Sequence, residues 1–204
     1  LQTLNLGGPR PGLLYVPRTY HAGQPSLSLV VMLHGAGGDA PGGMDPFLRL
    51  ADDRRLLLFA PASSQRTWDS VMGRSGPDVR LIDEGLRQIM AGYPVDRSRM
   101  AIEGFSDGAS YALSLGLANG DLFTHVIAFS PGFVPPGSRR GRPRVLVAHG
   151  SRDTVLPIRS TSRRIVPELR KEGYRVTYRE FNGPHAVPGA VAEQAATWFL
   201  DTPG

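Results

Sequence analysis

The 204-residue chain is long enough for one domain with a sizeable core and too short for two ordinary ones. Hydrophobic residues make up 41% and charged residues 20%, and no apolar run reaches the roughly 18 residues of a membrane-spanning helix. The absence of cysteine excludes disulfides, a thiolate nucleophile and cysteine-ligated metal, and the formal charge of +5 is carried almost wholly by arginine, because Lys171 is the only lysine.

In chain order, short runs rich in Val, Leu, Ile and Phe recur: "LLYVP" (13–17), "LSLVVMLHG" (27–35), "LLLFAPA" (56–62), "RMAIEGF" (99–105), "HVIAFSP" (125–131), "RVLVAHG" (144–150) and "RVTYREF" (175–181). Near-continuous apolar strands of this kind suit a sheet buried on both faces. Helical patterns lie between them. In "DVRLIDEGLRQIM" (78–90) Val79, Ile82, Leu86, Ile89 and Met90 fall on one face, and Pro77 precedes an acidic start that favours a helix N-terminus. Small, helix-compatible residues follow Ser106, and "AVAEQAATWFL" (190–200) predicts a last helix. The "PGFVPPGSRRGRP" segment (131–143) is a short Pro/Gly-rich loop with no room for a bulky lid. Its dense "SRRGRPR" stretch (138–144) reads as a solvated surface loop rather than a nucleic-acid patch. With no internal repeat and no linker, the alternation predicts one compact domain over residues 1–204, a doubly wound, mostly parallel α/β sheet flanked by helices. In such sheets the chemistry sits beyond the carboxyl ends of the strands.

Those ends carry "HGAGG" (34–38), "GFSDG" (104–108), "HGSRDTVLP" (149–157) and "NGPHAV" (182–187). A serine hydroxyl is a poor nucleophile at neutral pH and needs a base to take its proton and a third group to orient that base. In "GFSDG" a serine stands between two glycines where a strand turns into a helix, the context that a sharp, exposed nucleophile turn demands, so Ser106 is the expected nucleophile. The chain order for this turn is Ser, then Asp or Glu, then His. Asp153 is the first acid after Ser106 that directly follows a strand, and of the five histidines, at 21, 34, 125, 149 and 185, only His185 lies beyond it. Asp121, Glu168, Glu172 and Glu180 compete for the acid's role but sit in or beside predicted helices or inside the last strand. The backbone amides of Ala36 and Asp107 are the expected oxyanion donors, while His34 and His149 read as structural braces.

The segments "LHGAGGD", "WD" (Trp68 and Asp69), "GFSDGAS", "HGSRDTVLP" and "GPH", in this order, resemble the serine esterases of the α/β-hydrolase superfamily. The resemblance is to the phospholipase/carboxylesterase branch that includes acyl-protein thioesterases. "LLYVP" and "DVRLIDEGLRQIMAGYPVDRSRMAIEGFS" also resemble the polyhydroxybutyrate-depolymerase and feruloyl-esterase-like group. Both imply an α/β-hydrolase fold, a Ser106–His185–Asp153 triad and no cofactor or metal. The thioesterase pattern has Gln and a further Gly around the nucleophile, where this chain has Asp107 and Ala109.

The resulting expectation is a carboxylesterase acting on a small-molecule ester with a small or medium acyl group. Polyester, aryl-ester and thioester hydrolysis are alternatives, and a catalytically vestigial ligand-binding protein is the reading from another class. Trp68, Met44, Phe133 and Leu156 are the named substrate-binding candidates, among apolar residues that also include Phe47, Leu48 and Val155. No nucleic acid and no membrane span are expected, and nothing in the sequence sets an oligomeric state. No basic-then-apolar leader opens the chain, so a cytoplasmic setting is the expectation, with a secreted form left open because the first residue is Leu1 rather than Met.

Overall fold

Every predicted apolar run forms a strand in the computed structural model, which describes residues 1–69 and 76–201. In chain order the strands are β1 (Gln2–Leu4), β2 (Gly12–Tyr15), β3 (Leu27–Leu33), β4 (Leu56–Ala60), β5 (Val95–Phe105), β6 (His125–Phe129), β7 (Arg144–Gly150) and β8 (Val176–Phe181). The helices are α1 (Ala40–Leu48), α2 (Pro77–Gly92), α3 (Asp107–Ala118), α4 (Ser162–Lys171) and α5 (Gly189–Asp201). The predicted helices at 78–90 and 190–200 become α2 and α5, whereas β1, α1 and α4 are additions of the structure. In α2 the buried apolar stripe is Leu81, Ile82, Leu86 and Ile89. Val79, predicted on that face, is exposed because at 100° per residue it falls roughly a quarter-turn from the stripe's centre.

The sheet has eight strands in the order β1-β2-β4-β3-β5-β6-β7-β8. β1, β2 and β4 pair antiparallel and the remaining pairs are parallel. The central strands are buried on both faces, as their unbroken apolar runs require. One face packs Leu29, Val31, Phe59, Ile102 and Val126 against α2, α3 and α4; the other packs Val30, Met32, Leu58 and Ile127 against Phe47 of α1 and Phe199 of α5. From β3 the chain crosses to β4 on one side, then returns to β5 on the other. The carboxyl ends of β3 and β5 therefore flank the topological switch point, where doubly wound sheets hold ligands. Among the described residues no helix is long and apolar enough to cross a membrane.

Glu103 breaks this apolar interior without a partner among the described residues. Glu103 lies on β5 in register with Met32 of β3 and Ile127 of β6, is 1% exposed, and has no hydrogen-bond partner for either carboxyl oxygen among the described residues. Burial pushes its carboxyl well above the usual range, so the folded protein holds a proton that the unfolded chain releases above about pH 4.3. The stabilisation from that proton is full below pH 4.3 and is lost as pH rises toward the folded value. We expect Glu103→Met to be more stable than the parent by about 1–3 kcal/mol near neutral pH, with a smaller gain at pH 4. Urea unfolding across this range checks it, and a gain independent of pH would contradict the assignment.

Candidate active site

β5 runs directly into α3 through Ser106, whose φ of 57° and ψ of −119° place an L-residue in a costly backbone region. Two close approaches hold it there. A Cβ on Gly104 would meet Gly108 O at 2.2 Å, and one on Gly108 would meet Leu33 O at 2.2 Å, so strand, turn and the end of β3 pack as bare backbone. The Ser106 amide donates to Phe129 O at 2.9 Å, anchoring the turn to the end of β6.

Three distant segments converge on the Ser106 hydroxyl. His185 Nε2 lies 2.9 Å from Ser106 Oγ, and His185 Nδ1 lies 2.6 Å from Asp153 Oδ2. With the carboxylate accepting at Nδ1, that nitrogen carries the proton and Nε2 is free to accept from Oγ. The Phe105 ring packs against the imidazole at 4.6 Å between centroids. Asp153 is itself fixed from several sides. Its Oδ1 accepts the amides of Val155 (2.9 Å) and Leu156 (2.8 Å), and buried His149 puts Nε2 3.1 Å from Oδ2. Burial opposes ionisation of Asp153, but the Leu156 amide and the His185 ring outweigh it and hold the carboxyl below its ordinary range. His149 is kept neutral by burial, which lowers its affinity for a second proton; Nε2–H donates to Leu156 O (2.9 Å) and Nδ1 accepts from Ser162 Oγ (2.6 Å). The competing acids are elsewhere: Asp121 pairs with Arg140, Glu172 with Arg139 and Glu180 with Arg163, while Glu168 is exposed on α4.

The glycine-rich loop after β3 passes beside Ser106, close enough that a Cβ on Gly35 would lie 3.4 Å from Ser106 Cβ. Ala36 is exposed on this loop and Asp107 is the first residue of α3. Among the described residues neither amide donates to a backbone carbonyl outside its own element. Several groups fix the loop. Gly37 N donates to Arg66 O (2.6 Å), and His34, neutral through burial, donates from Nδ1 to Gly35 O (2.7 Å) while Nε2 accepts from Ser63 N (3.0 Å). Arg10, from the turn between β1 and β2, reaches across to donate to Gly38 O (2.8 Å), Ser63 O (2.6 Å) and Gln65 O (3.2 Å). Thr67 Oγ1 donates to Asp107 Oδ2 (2.6 Å), tying the loop after β4 to the residue that follows Ser106.

Of the substrate-binding candidates, Trp68 and Met44 are placed differently from the expectation. Trp68 is fully buried, stacked on Tyr111 at 5.1 Å, with Nε1 donating to His34 O (2.8 Å), so it buttresses the loop from beneath. Its neighbour Asp69 accepts from Tyr111 Oη (3.0 Å) and exchanges amide bonds with Asp78 (2.9 Å each way). Met44 is 1% exposed because α1 turns it into the core beside Phe47. Phe133 is exposed and Leu156 half-buried, the latter packing near Gly132 at the ends of β6 and β7. A cavity of 360 Å³ opens instead between the glycine-rich loop and α1, lined by Ala36, Gly42, Asp45, Pro46, Phe105 and Val187 among others. The sequence reading singled out none of these but Ala36. Nor did it find Arg10 or Thr67, whose partners lie 28 to 55 and 40 residues away in sequence.

Residues 4–163 match the Esterase family, described as "Putative esterase". The chain is 29% identical over 157 residues to the "Probable feruloyl esterase C" of Aspergillus oryzae, covering 72% of this chain but only 56% of that protein. Among solved structures, esterase PE8 superposes with a TM-score of 0.73 at 21% identity over 98% of this chain and 99% of its own. A ferulic acid esterase from Anaeromyces mucronatus, solved with ferulic acid, gives 0.68 at 18% identity over 95% and 85%. The likeness to the solved structures is one of fold, the eight-stranded, mostly parallel sheet flanked by helices of the α/β-hydrolase fold. On fold and on the match over residues 4–163, the chain belongs to the esterase family.

Proposed function

We propose that the chain is a serine carboxylesterase that cleaves small-molecule esters with small or medium acyl groups through an acyl-enzyme. One observation carries this reading: the continuous line from Asp153 Oδ2 through His185 to Ser106 Oγ, with links of 2.6 and 2.9 Å. In the first half-reaction His185 Nε2 takes the hydroxyl proton as Oγ bonds to the ester carbon, and the carbonyl electron pair moves onto its oxygen. The amides of Ala36 and Asp107 receive that oxyanion, each donor contributing about 3 kcal/mol to the lowered barrier. Collapse of the tetrahedral species expels the alcohol with the proton from His185. Water then repeats the sequence, giving its proton to His185, releasing the acid and restoring the hydroxyl. Asp153 acts through the imidazole, as a positioning residue.

The 360 Å³ cavity beside Ser106 is at the small end for a ligand site, which favours short acyl groups over long lipids. The apolar faces of Phe105, Pro46 and Val187 in it, together with the feruloyl esterase among the relatives, favour an aryl ester as the second reading. A panel of p-nitrophenyl acetate, butyrate and octanoate with methyl ferulate and a butyryl thioester tests both. The expected order places butyrate above octanoate. Hydrolysis no faster than buffer for every member would overturn the proposal.

A further inference from the structure

We propose that a second site, at the opposite end of the sheet from Ser106, binds a compact multivalent oxyanion such as pyrophosphate or sulfate between Arg142, Arg144 and Arg175. These arginines, with Gly173, line one depression of 390 Å³. Arg144 is the first residue of β7 and Arg175 directly precedes β8, so the site lies at the amino ends of parallel strands whose carboxyl ends carry the serine, acid and histidine. The register Val145↔Val176, continued one residue back, sets Arg144 and Arg175 on neighbouring strands, where Val145 N donates to Arg175 O at 3.0 Å. Like charges on adjacent strands repel, and a bound anion turns that repulsion into attraction.

Two acids of the flanking segments are engaged with other arginines. Glu172 pairs with Arg139 at 3.1 Å and Asp121 with Arg140 at 3.4 Å, and among the described residues Arg142, Arg144 and Arg175 take part in no ion pair. Arg142 is also held in place, its guanidinium 5.1 Å above the ring of buried Tyr174. A planar guanidinium presents paired donors that match two oxygens of a phosphate or sulfate group, and a site with one such fork already fixed loses less freedom on binding. The cations converge on a single hollow rather than running as a stripe, which suits a compact anion better than a long polyanion. Of the arginine-dense 138–144 stretch, Arg142 and Arg144 line the hollow, while Arg139 and Arg140 are paired with acids on the surface.

The test is calorimetric titration with sodium pyrophosphate at ionic strength held constant with sodium chloride. The expected result is saturable binding to one site, weakened at least about tenfold in Arg144→Gln/Arg175→Gln. A cooperative thermal transition in that double variant, at or above the parent's midpoint now that the repulsion is gone, confirms that both are folded. A second arm uses phosphatidylcholine vesicles with and without phosphatidylglycerol. Pelleting that depends on phosphatidylglycerol and on the two arginines assigns the anion to a lipid headgroup; pyrophosphate binding without pelleting assigns it to a free anion. No saturable binding in either arm, or binding equally strong in the double variant, overturns the proposal. The readouts are independent of ester turnover, so failure here and failure of the esterase reading are distinct.

Discussion

Replacing Ser106 with alanine should lower turnover of p-nitrophenyl butyrate by about 10⁴- to 10⁶-fold and leave the thermal midpoint nearly unchanged. The two effects separate because they arise from different atoms. The proposed nucleophile is Oγ, whose side-chain partner among the described residues is His185 Nε2 at 2.9 Å. The backbone cost at φ 57° comes from carrying a Cβ there at all, and alanine keeps that Cβ. Substrate affinity should persist as well, since Phe105, Pro46 and Val187 remain in place. Steady-state kinetics beside a melting curve checks both halves. A variant that kept more than a tenth of the parent rate would remove Ser106 from the chemistry, whatever the geometry around it.

Asp153→Asn should lower kcat by about 10⁴-fold for a reason specific to how this carboxylate is held. Oδ1 accepts two amides, from Val155 and Leu156, so an asparagine must put its carbonyl oxygen there. Its NH₂ then occupies the Oδ2 position, facing His185 Nδ1 at 2.6 Å and His149 Nε2 at 3.1 Å. A donor aimed at Nδ1 forces the proton onto Nε2, and an Nε2–H imidazole cannot accept from Ser106. The base is present but in the wrong tautomer. Nitrogen NMR of the imidazole reads this directly, and KM should change far less than kcat. A loss below tenfold, or a native tautomer in the variant, would show that the acid does not orient the base.

Much of the frame was legible because parallel strands buried on both faces must be apolar throughout, and "LLLFA" or "HVIAF" can hardly be anything else. The line from Ser106 to His185 was readable for a related reason: chemistry at strand ends needs short loops, and their Gly, Asp and His stand out against apolar flanks. The loop braces were not readable. Arg10 bonds to carbonyl oxygens, which every residue has, so nothing in the partner sequence marks the contact. Trp68 misled because an aromatic after a strand end suits a pocket wall as well as a buried strut, and only the stacking on Tyr111 decides between them. Met44 failed likewise: α1, with Pro46 inside it, has no periodic signal strong enough to say which side faces in.

The hairpin turn that carries Arg10 has a practical corollary for anyone shortening this protein. Trimming the first eleven residues leaves every parallel strand intact, and a circular dichroism spectrum would register little. Yet the guanidinium that spans Gly38, Ser63 and Gln65 goes with the discarded piece, leaving the Gly38 and Ser63 carbonyls beside the glycine-rich loop to be satisfied by water, while Gln65 O keeps the Ser63 hydroxyl. A well-folded, sluggish truncate would be the result, easily mistaken for an enzyme still awaiting its proper substrate.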